Sequence, residues 1–212
     1  MEMHDAAHAG RTRLLAWSGP DPRRVDAAHV WLGSDRLTAH GSSTTADHTV
    51  TYRLRTTEGW VTSALDVTVE GDGWRRMLAL RRATDGWSAL VRERGADGDE
   101  RVRPLELPDL GGALDCDLAL CPLTNTMPVL REGLVAAAQR GERRRRDLLM
   151  AWVSLPDLQV LASQQVYEAG PPVVVGGGAH VRYAAGEFEA HLEVDADGLI
   201  VNYPGLGRRL AL

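Results

Sequence analysis

The middle of the sequence carries two carboxylates whose spacing suits the binding of a cation. Asp115 and Asp117 are two residues apart, so both side chains lie on one side of the chain if this segment is extended. Paired carboxylates bind hard cations such as Mg²⁺. Carboxylates also cap turns or pair with a guanidinium group, and Arg131 is the nearest suitable partner downstream. We favour the second interpretation, because it needs no ligand.

A second polar group follows, in which Thr124, Asn125 and Thr126 lie between Pro122 and Pro128. Hydroxyl and amide groups of this kind can bind a polar head group, but they also bond nearby backbone and fix a loop. Proline fixes φ and removes a backbone donor, which disfavours a central strand. Residues 115–128 are therefore predicted to form a rigid loop between two β-rich halves.

Signatures of hydrolases and metalloenzymes are absent from the sequence. It contains no GxSxG nucleophile motif and no HExxH metal motif, and its histidines are scattered over separate predicted strands. Cys116 and Cys121 supply only two of the four ligands that a structural zinc site needs, and we expect them to be reduced thiols rather than a disulfide. We predict no metal and no cofactor. An Asp/His pair assembled in space would still allow a hydrolase or an isomerase.

Composition bears on the class of partner. The net charge of −5 disfavours nucleic acid, although all 24 basic residues are arginine. The four consecutive arginines 143–146 suit either a solvated turn or contact with anionic lipid. No apolar run approaches the roughly 18 residues that span a bilayer, and the N-terminus lacks the pattern of a signal peptide. We expect a cytoplasmic protein without a transmembrane segment.

Most of the chain alternates between apolar and polar residues with the period of a strand. Residues 48–55 and 187–195 show this most clearly, whereas only residues 129–140 have helical spacing, with Gly141 as the cap. About ten strands joined by Asp-Gly turns indicate one mainly β domain over residues 12–212, after a disordered segment at residues 1–11. Such a sheet twists, so we predict a single strongly curved antiparallel sheet, or half-barrel, with one or two short helices.

The same central loop resembles a bacterial family of unknown activity described as putative glycolipid-binding proteins. The residues that carry the resemblance are Asp115-x-Asp117-Leu118, Pro122-x-Thr124-Asn125-Thr126-x-Pro128, Arg131, Trp152-Val153, Pro156, Leu158, Gln165-x-Tyr167, Phe188, Asp195 and Gly198-Leu199-Ile200-Val201-x-Tyr203-Pro204. The resemblance implies a spiral β-roll, an architecture similar to that of periplasmic lipoprotein carriers. This chain departs from the family pattern at Leu130-Arg131, where two arginines are usual.

The resemblance implies a function of binding rather than catalysis. We expect a lipid or glycolipid-like amphiphile on the concave side of the roll, with a hydrolase, an isomerase or a solid interaction protein as the alternatives. The oligomeric state stays open. The candidate ligand-binding residues are Asp115, Asp117, Thr124, Asn125, Thr126, Arg131, Tyr167 and Tyr203.

Overall fold

A computed structural model describes residues 10–212 of the chain. These residues form one sheet of 15 strands, so the predicted fold class is confirmed, although about ten strands were expected. The strands are β1 (Arg11–Pro20), β2 (Arg23–Leu32), β3 (Leu37–Thr44), β4 (His48–Thr56), β5 (Thr62–Gly71), β6 (Trp74–Ala83), β7 (Gly86–Arg94), β8 (Glu100–Pro104), β9 (Asp115–Leu118), β10 (Arg145–Val153), β11 (Val160–Pro172), β12 (Ala179–Ala185), β13 (Phe188–Val194), β14 (Ile200–Tyr203) and β15 (Gly207–Arg209).

The sheet consists of two meanders joined at its centre. Strands β1 to β8 run outward in sequence order on one side, and β15 back to β9 run outward on the other. The seam between them is the antiparallel pairing of β1 with β15, which joins Trp17 to Arg209 and Ser18 to Arg208. The first and last strands of the described chain therefore hold the two halves together.

The end of the second meander lies inside the molecule. All four residues of β9 are buried, and β9 pairs in parallel with β10. Ala151 and Val153 of β10 belong to the core beneath the first meander, whereas Met150 belongs to a second core beneath β11–β14. Strand β10 thus has apolar neighbours on both faces, as the innermost turn of a spiral sheet should.

The strand at residues 115–118 corrects the prediction of a loop that began at Asp115. The prolines that argued against a strand, Pro122 and Pro128, both come after β9. A 3-10 turn at Pro122–Asn125 follows the strand and leads directly into the helical segment. The prolines do exclude a strand, but only from the residues after Leu118.

The predicted helix at residues 129–140 is instead two short helices, α1 (Thr126–Arg131) and α2 (Leu134–Gln139). Gly133 separates them with a φ of +60°, a left-handed conformation that favours glycine. Val129 and Leu134 bury their side chains in the second core. Gly141 ends α2 with a φ of +66°, as predicted.

Residues 173–178 connect β11 to β12, which begins at Ala179. Gly176 and Gly177 both have a positive φ, so this stretch forms a turn. The predicted N-terminal segment lies mostly outside the described residues, and the domain boundary at residue 12 stays a prediction. Among the described residues, no helix has the length and apolar character needed to cross a membrane.

Candidate functional site

Asp115 and Arg131 form a buried ion pair at the centre of the molecule. Both Asp115 oxygens accept hydrogen bonds of 2.6 Å from the two terminal nitrogens of Arg131. The Asp115 side chain is 1% exposed and that of Arg131 is 12% exposed. Burial raises the pKa of Asp115, and the guanidinium group opposes this rise. The expected pairing is present, and the guanidinium group takes the place that a cation would need.

Asp117 lies on the same strand and accepts from two neutral donors. The Thr124 hydroxyl donates to its Oδ1 at 2.8 Å, and the Gln165 amide donates to its Oδ2 at 2.7 Å. The network continues through Tyr167, whose hydroxyl donates to Asn125 Oδ1 at 2.9 Å. Burial raises the pKa of Asp117 and raises that of Tyr167 well above its ordinary value.

The last two predicted site residues are also buried. Thr126 is fully buried, and its hydroxyl has no hydrogen-bond partner among the described residues. Tyr203 is 5% exposed and packs edge to face against Tyr183, with ring centroids 5.8 Å apart. Burial raises the pKa of Tyr203. All eight predicted residues therefore lie inside the roll, and their role as ligand contacts stays a prediction.

Side chains fill the concave side around these residues. Leu118, Leu123 and Met127 are almost completely buried there, in contact with the core of the first meander. An internal cavity beside Trp17 and Cys121 has a volume of about 10 Å³. This volume is about the minimum that admits one water molecule, so this cavity has no room for an acyl chain.

The same burial determines the chemistry of the cysteines. Cys116 and Cys121 are both buried and form no disulfide in the structure, and their reduced state stays a prediction. Burial raises the pKa of Cys116 and raises that of Cys121 to about 12. We expect a thiol reagent such as dithionitrobenzoate to leave both groups unmodified in the native protein and to modify both in urea. Rapid modification of one equivalent without urea would contradict this prediction.

The partners of Asp115 and Asp117 bear on the alternative function, a hydrolase or isomerase that uses an Asp/His pair. Their hydrogen-bond partners are Arg131, Thr124 and Gln165, and none of the histidines in residues 10–212 bonds to either carboxylate. Residues 10–212 contain no group of three or more His, Cys, Asp or Glu side chains that could hold a metal ion. Within the described residues, neither Asp115 nor Asp117 forms the Asp/His pair on which the catalytic alternative was based.

A large groove lies on the face of the first meander that points away from the core. The sequence analysis did not predict this groove. It has a volume of about 720 Å³ and lies across β3 to β7. The side chains that line it alternate along each strand with residues of the core, so they point away from the roll. They include His40, Thr51, Arg53, Asp66, Thr68, Met77, Ala79, Leu90 and Arg92.

The strand register divides this groove into a polar and an apolar half. On β3, β4 and β5, His40 pairs with Arg53, and Arg53 pairs with Asp66. On β6 and β7, Ala79 pairs with Leu90, and Met77 lies two residues before Ala79 on the same face. Arg92 of β7 pairs with Met77 and also lines this side. A smaller, charged cavity of about 170 Å³ adjoins it and shares Met77 and Arg92. Charged and hydroxyl groups therefore line the β3–β5 side of the groove, and the β6–β7 side, called the apolar half, carries three apolar side chains beside Arg92.

The fold and this groove define a class of protein: a spiral β-roll with a filled interior and an open groove on its outer face. The chain is similar to the crystal structure of a DUF1089 family protein from Pseudomonas aeruginosa, with a TM-score of 0.61 and 26% sequence identity. The match covers 87% of this chain and 92% of that one. No curated protein matches the chain significantly.

A family model described as "Putative glycolipid-binding" matches residues 14–209, nearly the whole chain. The protein therefore belongs to this family, as the residues of the central loop had predicted. Those residues form the buried network around Asp115 and Asp117, so the motif by which the family can be recognised lies in the interior, away from the outer groove.

Proposed function

We propose that this protein binds a glycolipid-like amphiphile in the groove across β3 to β7, without catalysing a reaction. The observation that carries the proposal is the division of a groove of about 720 Å³ into a polar and an apolar half. Binding sites for small molecules commonly have volumes of about 300–1,000 Å³. The family description supports the choice of ligand class.

The polar half offers groups suited to a sugar. Thr51 and Thr68 are cross-strand neighbours, and their hydroxyl groups can each donate and accept a hydrogen bond. Asp66 and Arg53 lie in the next row of the same face and supply an acceptor and several donors. Such a mixture matches the hydroxyl groups of a carbohydrate, which both donate and accept.

The apolar half is suited to the start of an acyl chain. Leu90 is 43% exposed, and Val102 of β8, which pairs with Arg92, is 51% exposed on the same face. Together with Met77 and Ala79 they place four apolar side chains on three strands, a strip that Arg92 interrupts between Met77 and Val102. Covering exposed apolar surface contributes about 25 cal/mol per Å². A chain lying along this strip would gain affinity that a free sugar lacks.

The buried network has a supporting role in this proposal. The concave side was the expected position of the ligand, but Leu123 and Met127 occupy it. The network around Asp117 joins β9, the 3-10 turn and β11, and so fixes the inner turn of the spiral against which the first meander packs. On this view, the polar residues of the central loop hold the roll in shape and do not contact the ligand.

Blocking the groove tests the proposal. Ala79 lies on the floor of the apolar half, so Ala79→Trp should fill that half with an indole ring. With dodecyl maltoside below its critical micelle concentration as the probe, we expect calorimetry to show binding to the native protein. We expect Ala79→Trp to weaken this binding at least about tenfold, a loss of about 1.4 kcal/mol.

The control is Ala162→Trp, because Ala162 is an exposed residue of β11 outside the groove. This variant should bind dodecyl maltoside within about twofold of the native protein. Native affinity in Ala79→Trp would overturn the groove as the site. If Ala79→Trp binds normally and Thr126→Val, inside the roll, does not, the site would lie on the concave side.

A further inference from the structure

Arg53, in the polar half of the groove, has no ionic partner among residues 10–212. Most arginines near it are paired, since Arg81 donates to Asp66 and Arg92 lies 2.9 Å from Glu100. Arg53 makes no hydrogen bond or salt bridge with any described residue. Its cross-strand neighbour Asp66 instead lies against Arg81 and, at 4.0 Å, Arg55. An exposed guanidinium group therefore faces the groove with its donors free.

Two histidines extend this row on the side away from Asp66. His40 is the cross-strand neighbour of Arg53, and His29 is that of His40, just beyond the groove. Both are exposed, and neither makes a hydrogen bond or salt bridge with any residue in the described part of the chain. Three neighbouring strands thus present three nitrogen donors in one row, with no carboxylate among them.

The charges around the groove favour an anion over a cation. The side chains that face this side from β4 to β8 include six arginines and three carboxylates, although the whole chain has a net charge of −5. These residues are Arg53, Arg55, Arg75, Arg81, Arg92, Arg94, Asp66, Glu70 and Glu100. A metal held by the two histidines would lie beside Arg53, whose positive charge opposes cation binding.

We propose that the row His29–His40–Arg53 binds the anionic group of the ligand, a phosphate, sulfate or carboxylate carried by a sugar or a lipid head group. Arginine binds such oxyanions bidentately through its planar fork of donors. Thr51, two residues before Arg53 on the same face, adds a hydroxyl donor beside the guanidinium group. The inference rests on the proposed function, because it specifies the head group of the same amphiphile.

The experiment compares three probes by calorimetry: octyl phosphate, octyl glucoside and inorganic phosphate. The native protein is expected to bind octyl phosphate about tenfold more tightly than octyl glucoside, because a charge-assisted hydrogen bond is stronger than a neutral one. Arg53→Gln should weaken the binding of octyl phosphate about tenfold and change that of octyl glucoside less than about twofold. His40→Gln should act in the same direction with a smaller effect.

Arg23→Gln is the matched control, since Arg23 is exposed, unpaired among the described residues and located at the start of β2, outside the groove. It should leave both affinities unchanged. Equal losses of affinity for octyl phosphate in Arg23→Gln and Arg53→Gln would show that only the net charge of the protein matters, and would overturn the anion site. Equal affinity of the native protein for the two octyl probes would also overturn it.

The three probes separate the failure of this inference from that of the proposed function. If octyl glucoside binds and Ala79→Trp abolishes this binding, but octyl phosphate binds no better, only the anion site is wrong. If inorganic phosphate binds as tightly as octyl phosphate and needs Arg53, the anion site is supported and the amphiphile is not. If none of the probes binds to the native protein, both proposals are wrong.

Discussion

Replacing Arg131 with alanine is expected to lower the free energy of unfolding by about 3–5 kcal/mol, the range found when one partner of a buried ion pair is removed. The carboxylate of Asp115, which is 1% exposed in the native protein, would lose both of its 2.6 Å hydrogen bonds. Urea unfolding at pH 7 measures the effect.

The surface pair of Arg182 and Glu189 provides a matched control. It is also bidentate, with hydrogen bonds of 2.8 and 2.7 Å, but its side chains are 31% and 47% exposed. Arg182→Ala should therefore cost no more than about 1 kcal/mol. A loss in Arg131→Ala no larger than in Arg182→Ala would show that the central pair does not stabilise the fold.

A double variant separates two contributions to the free energy of unfolding: the destabilisation caused by an unpaired buried charge and the net stabilisation provided by the ion pair. Asp115→Leu combined with Arg131→Met removes both charges and keeps much of the volume. Replacing a buried ion pair by apolar groups is often neutral or stabilising. The double variant should therefore recover most of the stability that Arg131→Ala loses.

The second large effect concerns Asp117 and the pH dependence of stability. Burial raises its pKa above the ordinary value of 3.8, and its two hydrogen-bond donors, Thr124 and Gln165, carry no charge. Between the unfolded and folded pKa values, the folded state binds the proton more tightly than the unfolded chain does. The contribution of Asp117 is therefore fully present below the unfolded pKa and is lost as the pH rises through the folded pKa.

Asp117→Asn removes this titration, and the amide can still accept from Gln165 and donate to the Thr124 hydroxyl. The stability of the variant relative to the native protein should rise with pH, by at most about 1.4 kcal/mol per pH unit. Urea unfolding of both proteins from pH 4 to pH 8 tests this. Burial also raises the pKa of Asp26 and of Asp115, so part of the native slope should persist in the variant.

Asp147→Asn is the control of opposite sign. Asp147 is exposed beside Arg145, which lowers the pKa of the carboxyl group. Its contribution is present above the unfolded pKa of 3.8 and is lost as the pH falls through the lower folded pKa. The stability of this variant relative to the native protein should therefore be nearly constant from pH 4 to pH 8, and below pH 4 it should fall as the pH rises. If both variants changed in the same direction, the assignment of the slope to the buried carboxyl group would be wrong.

The antiparallel strands could be predicted because one face of each is buried and the other is not. Strand β4 shows the rule, since Val50, Tyr52 and Leu54 point into the core and the residues between them point outward. Strand β9 breaks this rule, because it pairs in parallel and is buried on both faces. Its Asp115 and Asp117 are polar residues at buried positions, which alternation alone assigns to the surface. Only the pairing of Asp115 with Arg131 could be anticipated there.

The groove could not be predicted from the sequence for a different reason. His40, Thr51 and Arg53 are ordinary residues for the exposed face of a strand, and each is far in sequence from Ala79 and Leu90. Their arrangement in one groove depends on the register of five strands and on the twist of the sheet. Register follows from the pairing of whole strands, which no local pattern of residue types determines.

The seam between β1 and β15 has a consequence for the order in which the protein folds. It contains two residue pairs, whereas β1 and β2 share ten. Side chains reinforce the seam, since the Trp17 indole donates to the Ile200 carbonyl at 2.9 Å. Closing it joins residues nearly 200 positions apart, and contacts of such long range form slowly. During synthesis, β1 must therefore wait with one edge unpaired until the last strand arrives, and this interval is when the chain is most exposed to mispairing with another strand.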